Sequence, residues 1–377
     1  MRADHPAVAA AAARACDELI TFDSTLELLA TVANTPAPSG ASSITRGARV
    51  RAWFVDQDMS KQGTELHLDY QRTGCDLLTS GTGGLRMLAH LDEVSYLVDD
   101  SWIVPGLWPI SPYCYHLAEG PAPARVVRFH PDGTWTAADR GEVIEEGGKH
   151  FFRCAANVDL GPGDRICLAS ELACDRSTGL VTGSLDNAAG VTAALLAASV
   201  LAEVGVPFTL ILTDEEEGPS GASSQTISRG AARYFHRSQL QDAPLTVAID
   251  IHGVPARDEE DVRGHAVPWG ASLAEFSSHG RGSVAPPQLY AAARDFLCKG
   301  NSIVDGVRPN SGGYVPRSDD VVAMTHTNRV LVLGYPGANR HFDRGLPSAN
   351  LHDLMQLARA LVALAVGVST EQLAVDW

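Results

Sequence analysis

The chain has 377 residues, 45% of them hydrophobic and 20% charged, the balance of a folded globular protein of about two domains at roughly 150 residues each. Its formal charge of -16 argues against a nucleic-acid or anionic-membrane surface, since both recruit clustered Lys and Arg. The N-terminus lacks a signal peptide's apolar core, no segment approaches ~18 uninterrupted apolar residues, and the seven cysteines form no C-x-x-C pair, so free thiols and a cytoplasmic location are expected.

An Ala-rich helix opens the chain, and a second helical pattern runs through "DSTLELLATVAN", with Asp23 or Ser24 as its N-cap, stopping before "TPAPSG". "ELHLDYQ" and "GLRMLAHLDEVSYLV" read as strands, the second ending its apolar run at His90, and the "GTGGL" between them reads as a hairpin turn. From about 94 to 180 the texture changes. "ARVVRFHPDGTWTAA" and "GEVIEEGGKHFFRCA" are hairpins, and "GPGDRICLA" is a turn and a strand. These short strands predict a small β-rich insert at 94–180 inside a larger discontinuous domain made of 1–93 and 181–377. Helical periodicity returns with "NAAGVTAALLAASVLAEVG". The strands "PFTLILT", "LTVAIDI" and "RVLVLGYPG" then alternate with the helices "SRGAARYFHRSQL", "PPQLYAAARDFLCKG" and "LHDLMQLARALVALAVGV". Helices alternating with near-continuous apolar strands predict a three-layer α/β/α domain with a largely parallel sheet.

In such sheets, sites gather at the carboxyl ends of the strands. His90, Asp92 and Glu93 stand at one end, Glu215 and Glu216 at a second, Asp250 at a third and His341 at a fourth, while Asp186 precedes a helix. Two histidines with several carboxylates suit a borderline divalent metal such as zinc, and mixed His and carboxylate ligation is commoner in catalytic than in structural zinc sites. Other histidines, His67, His116, His130, His252, His265, His279 and His326, match no ligand position; His252, two residues after Asp250, is the nearest to an exception. "GPSGA" is not G-x-S-x-G, so a serine nucleophile is not indicated.

In order along the chain, "LLATVANTPAPSG", "MLAHLDEVSYLV", "GLVTGSLDNAAGVTAAL", "ILTDEEEGPSGA", "VAIDIHG" and "LGYPGANRHF" resemble the dinuclear zinc aminopeptidases of the TET, deblocking and glutamyl aminopeptidase type, a co-catalytic metallopeptidase family. The resemblance implies a zinc-exopeptidase-like (phosphorylase/hydrolase-like) catalytic domain with a barrel-like insert for oligomerisation or as a lid. It further implies two divalent ions per chain, zinc with cobalt or manganese as alternatives, one held by His90, Asp186 and Asp250 and the other by Asp186, Glu216 and His341. Asp186 bridges them, and the Asp186–Asn187 peptide bond is cis. A hydroxide shared by the ions attacks the amide, with Glu215 as general base and acid. Successive side chains of an extended segment diverge, so Glu216 ligates while Glu215 faces the water. Asp92, two residues from His90, orients its imidazole.

The expected activity is therefore metal-dependent hydrolysis of N-terminal amino-acyl amide bonds of peptides. An acid near the ions would hold the free amine, with Glu217, Asp319 and Asp320 as candidates. An amidohydrolase or deacylase with the same site, acting on a modified metabolite or carrier-bound substrate, is the alternative. A catalytically inactive metal-binding scaffold is the alternative of another class. The expected partners are a peptide or amino-acyl substrate and copies of the chain itself, from a dimer up to a dodecamer, with no nucleic acid and no membrane. The sequence departs from the family at Asn187 and Ala188, where a charged pair is usual, and in "RHFDRG", which lacks the Ser and Glu that commonly follow the last ligand.

Overall fold

The computed structural model describes residues 5–99, 105–113, 120–218, 227–238 and 243–373. Its first part runs α1 His5–Leu19, α2 Phe22–Ala33, α3 Ser42–Asp56, β1 Thr64–His67, β2 Asp76–Ser80 and β3 Leu85–His90. Short strands follow: β4 Ser95–Val98, β5 Leu107–Pro112, β6 Ala122–Phe129, β7 Trp135–Thr136, β8 Arg140–Glu146, β9 Lys149–Cys154, β10 Arg165–Leu168, β11 Ala173–Asp175 and β12 Leu180–Thr182. The remainder comprises α4 Ala188–Glu203, β13 Phe208–Thr213, α5 Arg229–Arg237, β14 Thr246–His252, α6 Glu259–Val262, β15 Ala271–Ala274, α7 Pro287–Cys298, β16 Val307–Pro309, α8 Asp320–Ala323, β17 Val330–Ala338, β18 Ser348–Asn350 and α9 Leu351–Ser369.

The large sheet has the order β1-β2-β13-β3-β14-β17-β18-β12-β11, with β15 pairing β16 and β17. At its centre β13, β3, β14 and β17 are mutually parallel, so their carboxyl ends share one edge. All four are almost wholly buried apolar strands, as expected of parallel strands covered on both faces. Helix α4, buried from Ala188 to Ala202, packs with α1, α2 and α9 over one face, while α5 and α8 cover the other. The architecture is the three-layer α/β/α domain expected. Helix α9 is long and apolar enough to cross a membrane, but 72% of its apolar window is buried inside the protein.

A second sheet lies between 95 and 168. Its order β10-β4-β5-β9-β8-β6 closes on itself because β10 also pairs with β6, giving a six-stranded barrel with its own core around Tyr96, Trp108 and Phe152. Gly147 and Gly148 turn the β8–β9 hairpin with φ of 61° and 75°, the paired left-handed conformations that a two-residue turn requires.

Local expectations are corrected in four places. The N-cap of α2 is Thr21, and Ser24 is its capping-box partner, each side chain accepting from the other's backbone N–H. Strand β1 stops at His67, so the strand expected over "ELHLDYQ" is halved. The long strand expected from Gly84 to Val98 is two, β3 and β4, separated at Leu91–Val94 where the chain leaves the large sheet for the barrel. "GTGGL" is no hairpin turn, because β13 lies between β2 and β3; a Cβ on Gly84 would stand 1.8 Å from the Pro207 carbonyl that leads into β13.

Candidate metal centre

The pairings of His90 with Thr213 and of Ala89 with Ile249 bring the ends of β3, β13 and β14 to one level, and β17 delivers His341 shortly beyond. Asp186 reaches the same edge from the turn before α4. There Asn187 accepts from the Gly190 N–H as N-cap and donates to the Ile249 carbonyl at 2.8 Å, fixing the turn to β14. The Asp186–Asn187 bond is cis, as the resemblance implied.

Asp186 is the hub. Its Oδ1 lies 3.3 Å from His90 Nε2 and its Oδ2 3.3 Å from His341 Nε2, so one carboxylate is divided between two imidazoles. Asp250 Oδ1 stands 3.7 Å and Glu216 Oε2 4.0 Å from His90 Nε2, while Glu217 Oε1 stands 2.8 Å from His341 Nε2. The resulting ligand-sized groups are His90, Asp186 and Asp250; Asp186, Glu217 and His341; and His90, Glu216 and Glu217.

The sequence reading is thereby shifted by one residue. It set Glu216 opposite His341 and Glu215 at the centre; the structure sets Glu217 opposite His341 and Glu216 beside His90. The Glu215 carboxylate faces elsewhere, accepting from Tyr113 Oη at 2.8 Å and pairing with Arg233 Nη1 at 2.5 Å. The physical cause is the backbone. Glu215 has φ of 54°, a left-handed conformation, so the segment is not extended and side chains do not alternate across it.

Asp92 also differs from expectation. His90 Nδ1 donates to the Asp92 carbonyl at 3.0 Å, which fixes the ring and leaves Nε2 toward the acids. The Asp92 carboxylate instead accepts from Ser39 Oγ and, at 3.1 Å each, from the Glu216 and Glu217 N–H groups. It aims the acid-bearing loop, and its Oδ1 also stands 3.7 Å from His90 Nδ1. The "TPAPSG" turn laces the same loops, since Gly40 N–H donates to Asp214 and Ala37 N–H to Glu93, whose other oxygen pairs with buried Arg46 at 2.9 Å.

Four carboxylates, Asp186, Asp250, Glu216 and Glu217, thus meet two imidazoles in a buried space. Burial opposes the charge of Asp186, but His341 and His90 outweigh it and hold its carboxyl well below the usual range. Burial also opposes an imidazolium at His341, yet Glu217 and Asp186 push it up to about 9. Burial raises the Glu216 and Asp250 carboxyls. His90 Nε2 and Asp186 Oδ1, both buried, have no hydrogen-bond partner among the described residues. Up to four negative charges with two orphaned donor atoms suit two divalent cations, whose four positive charges would balance them.

His252 stays outside the cluster. Its Nδ1 bonds Ser272 Oγ at 2.7 Å, and burial lowers its pKa to about 3. Asp319 and Asp320 do not line the adjoining cavity: Asp319 accepts from Thr213 Oγ1, and Asp320 accepts from Ser277 and Ser283 of one loop and from the Ser318 N–H of another. That cavity, of about 350 Å³, is lined by Glu216, Glu217 and His341 and by Arg281, Arg317, Arg340 and Tyr314. Sequence reading missed these arginines; only Arg340, beside a ligand histidine in "NRHF", carried a signal. The described cysteines are free thiols, three of them buried; Cys114 and His116 lie outside the described residues.

No protein-family profile matches the sequence, and no curated protein matches it. Solved structures do resemble it. A TET aminopeptidase from a marine-sediment Thaumarchaeota archaeon is 15% identical with a TM-score of 0.70, over 93% of this chain and 99% of that one. The Pyrococcus horikoshii TET1 peptidase, which can assemble into a tetrahedron or a large octahedral shell, is 17% identical with a TM-score of 0.62, over 90% and 99%. An M18-family aminopeptidase from Thermotoga maritima is 12% identical with a TM-score of 0.60, over 93% and 96%. The chain therefore has the fold of the TET and M18 aminopeptidases.

Proposed function

We propose that the chain is a metal-dependent aminopeptidase that hydrolyses N-terminal amino-acyl amide bonds. His90, Asp186 and Asp250 would hold one divalent ion, zinc in the first instance, and Asp186, Glu217 and His341 a second. The observation that carries this reading is the Asp186 carboxylate, buried and divided between His90 and His341 at 3.3 Å each. Two such ions, when bound, would polarise the scissile carbonyl and make a water nucleophilic at neutral pH.

The chain's own residues do the rest. Glu216 is the proton carrier, accepting a proton from the attacking water and returning it to the leaving amine. The Asp92 carbonyl holds the His90 tautomer, and the Asp92 carboxylate holds the Glu216 and Glu217 backbone in place. Glu215, assigned the proton transfer from sequence, is here a positioning residue that joins the loop to Tyr113 and Arg233.

We read the barrel as an insert within a discontinuous catalytic domain; it closes at Leu168, short of the 94–180 expected, because β11 and β12 pair into the large sheet. The tetrahedral and octahedral shells of the TET1 relative support a homo-oligomer, and the free thiols support a cytoplasmic enzyme. The test is to count zinc per chain by elemental analysis and to follow amine release from amino-acyl anilides before and after chelation. Two ions per chain and chelator-sensitive release are expected. Fewer than two ions, or release indifferent to chelation, sinks the reading, and hydrolysis confined to N-acylated anilides replaces it with a deacylase.

A further inference from the structure

Another cavity, of about 480 Å³, opens at the start of α9 and shares no residue with the metal centre. Trp269 and Gly270 before β15, Gly306 and Arg308 around the start of β16, and Asp353 and Gln356 from the first turns of α9 line it. These three walls are fastened to one another. Ala271 N–H donates to the Gly306 carbonyl at 2.7 Å, and a Cβ on Gly270 would stand 2.5 Å from that same oxygen, so the two turns meet backbone to backbone. Gly306 N–H donates to Gln356 Oε1 at 3.1 Å, and a Cβ on Gly306 would stand 2.7 Å from Gln356 Cγ. Gly270 N–H donates to Asp353 Oδ1 at 2.6 Å.

Two opposite charges are left over in this frame. Asp353 is 1% exposed, and while Gly270 takes its Oδ1, its Oδ2 has no hydrogen-bond partner among the described residues. A buried carboxyl oxygen in that state is uncommon and calls for a donor. Burial pushes the carboxyl up to about 7, a cost that a cation in the cavity would offset. Arg308 extends the wall from β16, where it lies opposite Ser272 of β15, and its guanidinium lies 5.5 Å over the Trp269 ring. That platform is fixed, because Trp269 is buried and its Nε1 donates to Asp258 Oδ2 at 3.1 Å. Arg308 makes no ion pair or hydrogen bond among the described residues, Asp353 included, although it is near enough for its charge to favour the Asp353 carboxylate. An acceptor and a guanidinium that border one cavity without pairing match a ligand that carries both charges itself.

We propose that this cavity binds a free amino acid at a place separate from the metal centre, with the α-ammonium donating to Asp353 Oδ2 and the α-carboxylate accepting from Arg308. The inference does not depend on the hydrolase reading above. Guanidinium holds a carboxylate through two parallel N–H bonds, and about 480 Å³ leaves room for a side chain beyond the two charged groups.

The metal-loaded protein is titrated calorimetrically with leucine, glutamate and lysine, and with the two halves of leucine's charge, isoamylamine and 4-methylpentanoate. Repeating the titration after chelation separates this cavity from any amino acid held by the metal centre. At least one amino acid is expected to bind with an affinity that chelation leaves unchanged, and each single-charge analogue of leucine about tenfold or more weaker than leucine itself. Asp353→Asn keeps an oxygen for Gly270, and Arg308→Ala alters an exposed side chain, so both should unfold cooperatively as the parent does; each weakens amino-acid binding about tenfold or more. Binding that disappears on chelation, or that both variants retain at the parent's affinity, overturns the site. Absence of binding up to millimolar amino acid overturns it as well. Isoamylamine binding as tightly as leucine overturns the zwitterionic ligand, because Arg308 would then contribute nothing.

Discussion

Glu217 Oε1 lies 2.8 Å from His341 Nε2, while Glu216, one residue earlier, turns its carboxylate toward His90 at 4.0 Å. Neighbouring glutamates of one loop thus occupy different sides of the Asp186 carboxylate and should fail differently when neutralised. Glu216→Gln is expected to lose about 10²–10⁴ in turnover, the usual contribution of a positioned acid–base group, and to keep two metals. Glu217→Gln should retain only one tightly bound metal. Metal counting on both variants, alongside their rates, decides the matter; loss of a metal from Glu216→Gln, with two metals kept in Glu217→Gln, would return Glu216 to the ligand role that the extended chain implied.

Glu215 makes the complementary case. Its carboxylate is buried between Tyr113, just past the end of β5 in the barrel, and Arg233 on α5 of the large domain. Glu215→Gln keeps an oxygen for Tyr113 or Arg233 and should hold turnover within about tenfold of the parent, far from the loss at Glu216. Glu215→Ala strands both partners and is expected to cost about 1–2 kcal/mol, moderated by the exposure of Arg233. Denaturant unfolding and anilide turnover, measured together, test both statements. A Glu215→Gln variant as inactive as Glu216→Gln would refute the positioning role.

The pH dependence of stability has a source far from the metals. Burial pushes the Asp353 carboxyl at the start of α9 up to about 7, despite backbone N–H bonds from Gly270 and Trp269. The unfolded chain titrates near 3.9, so the folded state binds this proton more tightly. Stability from this group is therefore largest in acid and is lost as pH rises from about 4 to about 7. The difference in unfolding free energy between parent and Asp353→Asn should move against the parent across that window and then level off. A difference that is flat from pH 4.5 to 8 rules the effect out.

Much of the site was legible because a parallel sheet brings strand ends together whatever the loops do. His90, Asp250 and His341 are found by locating apolar strands, and Asp186 by the capping residue that follows it. The division of labour in "DEEE" was not legible. Three identical acids carry no residue-level signal of which one turns inward, and a left-handed Glu215 is not announced by a glycine. Asp92 was legible only in part: it does fix the His90 ring, but the hydrogen bond comes from its carbonyl, because alternation applies within a strand and the chain leaves the sheet at Leu91. Arg281 and Arg317 come from loops with no periodicity at all, and only the Asp320 hydrogen bonds reveal that those loops are one unit.

The turn that presents Asp186 offers the most local test of the centre. A Cβ on Gly190 would stand 2.2 Å from Asn187 Oδ1, the atom that accepts the Gly190 N–H and caps α4. Alanine raises intrinsic helix propensity, so by that measure alone Gly190→Ala would stabilise the helix by roughly 1 kcal/mol. The contact opposes it. Asn187 is fully buried and its amide also donates to the Ile249 carbonyl, so it cannot retreat without breaking its tie to β14. Displacement of Asn187 moves the adjacent Asp186, and an ångström of displacement at a shared carboxylate disturbs both imidazole contacts at once. Gly190→Ala is therefore expected to weaken binding of both metals and to reduce turnover at least tenfold, while Ala189→Gly, on the same helix turn, costs stability alone. Zinc titration of the two variants distinguishes them: unchanged metal affinity in Gly190→Ala would show that Asp186 is held by something other than its neighbour's cap.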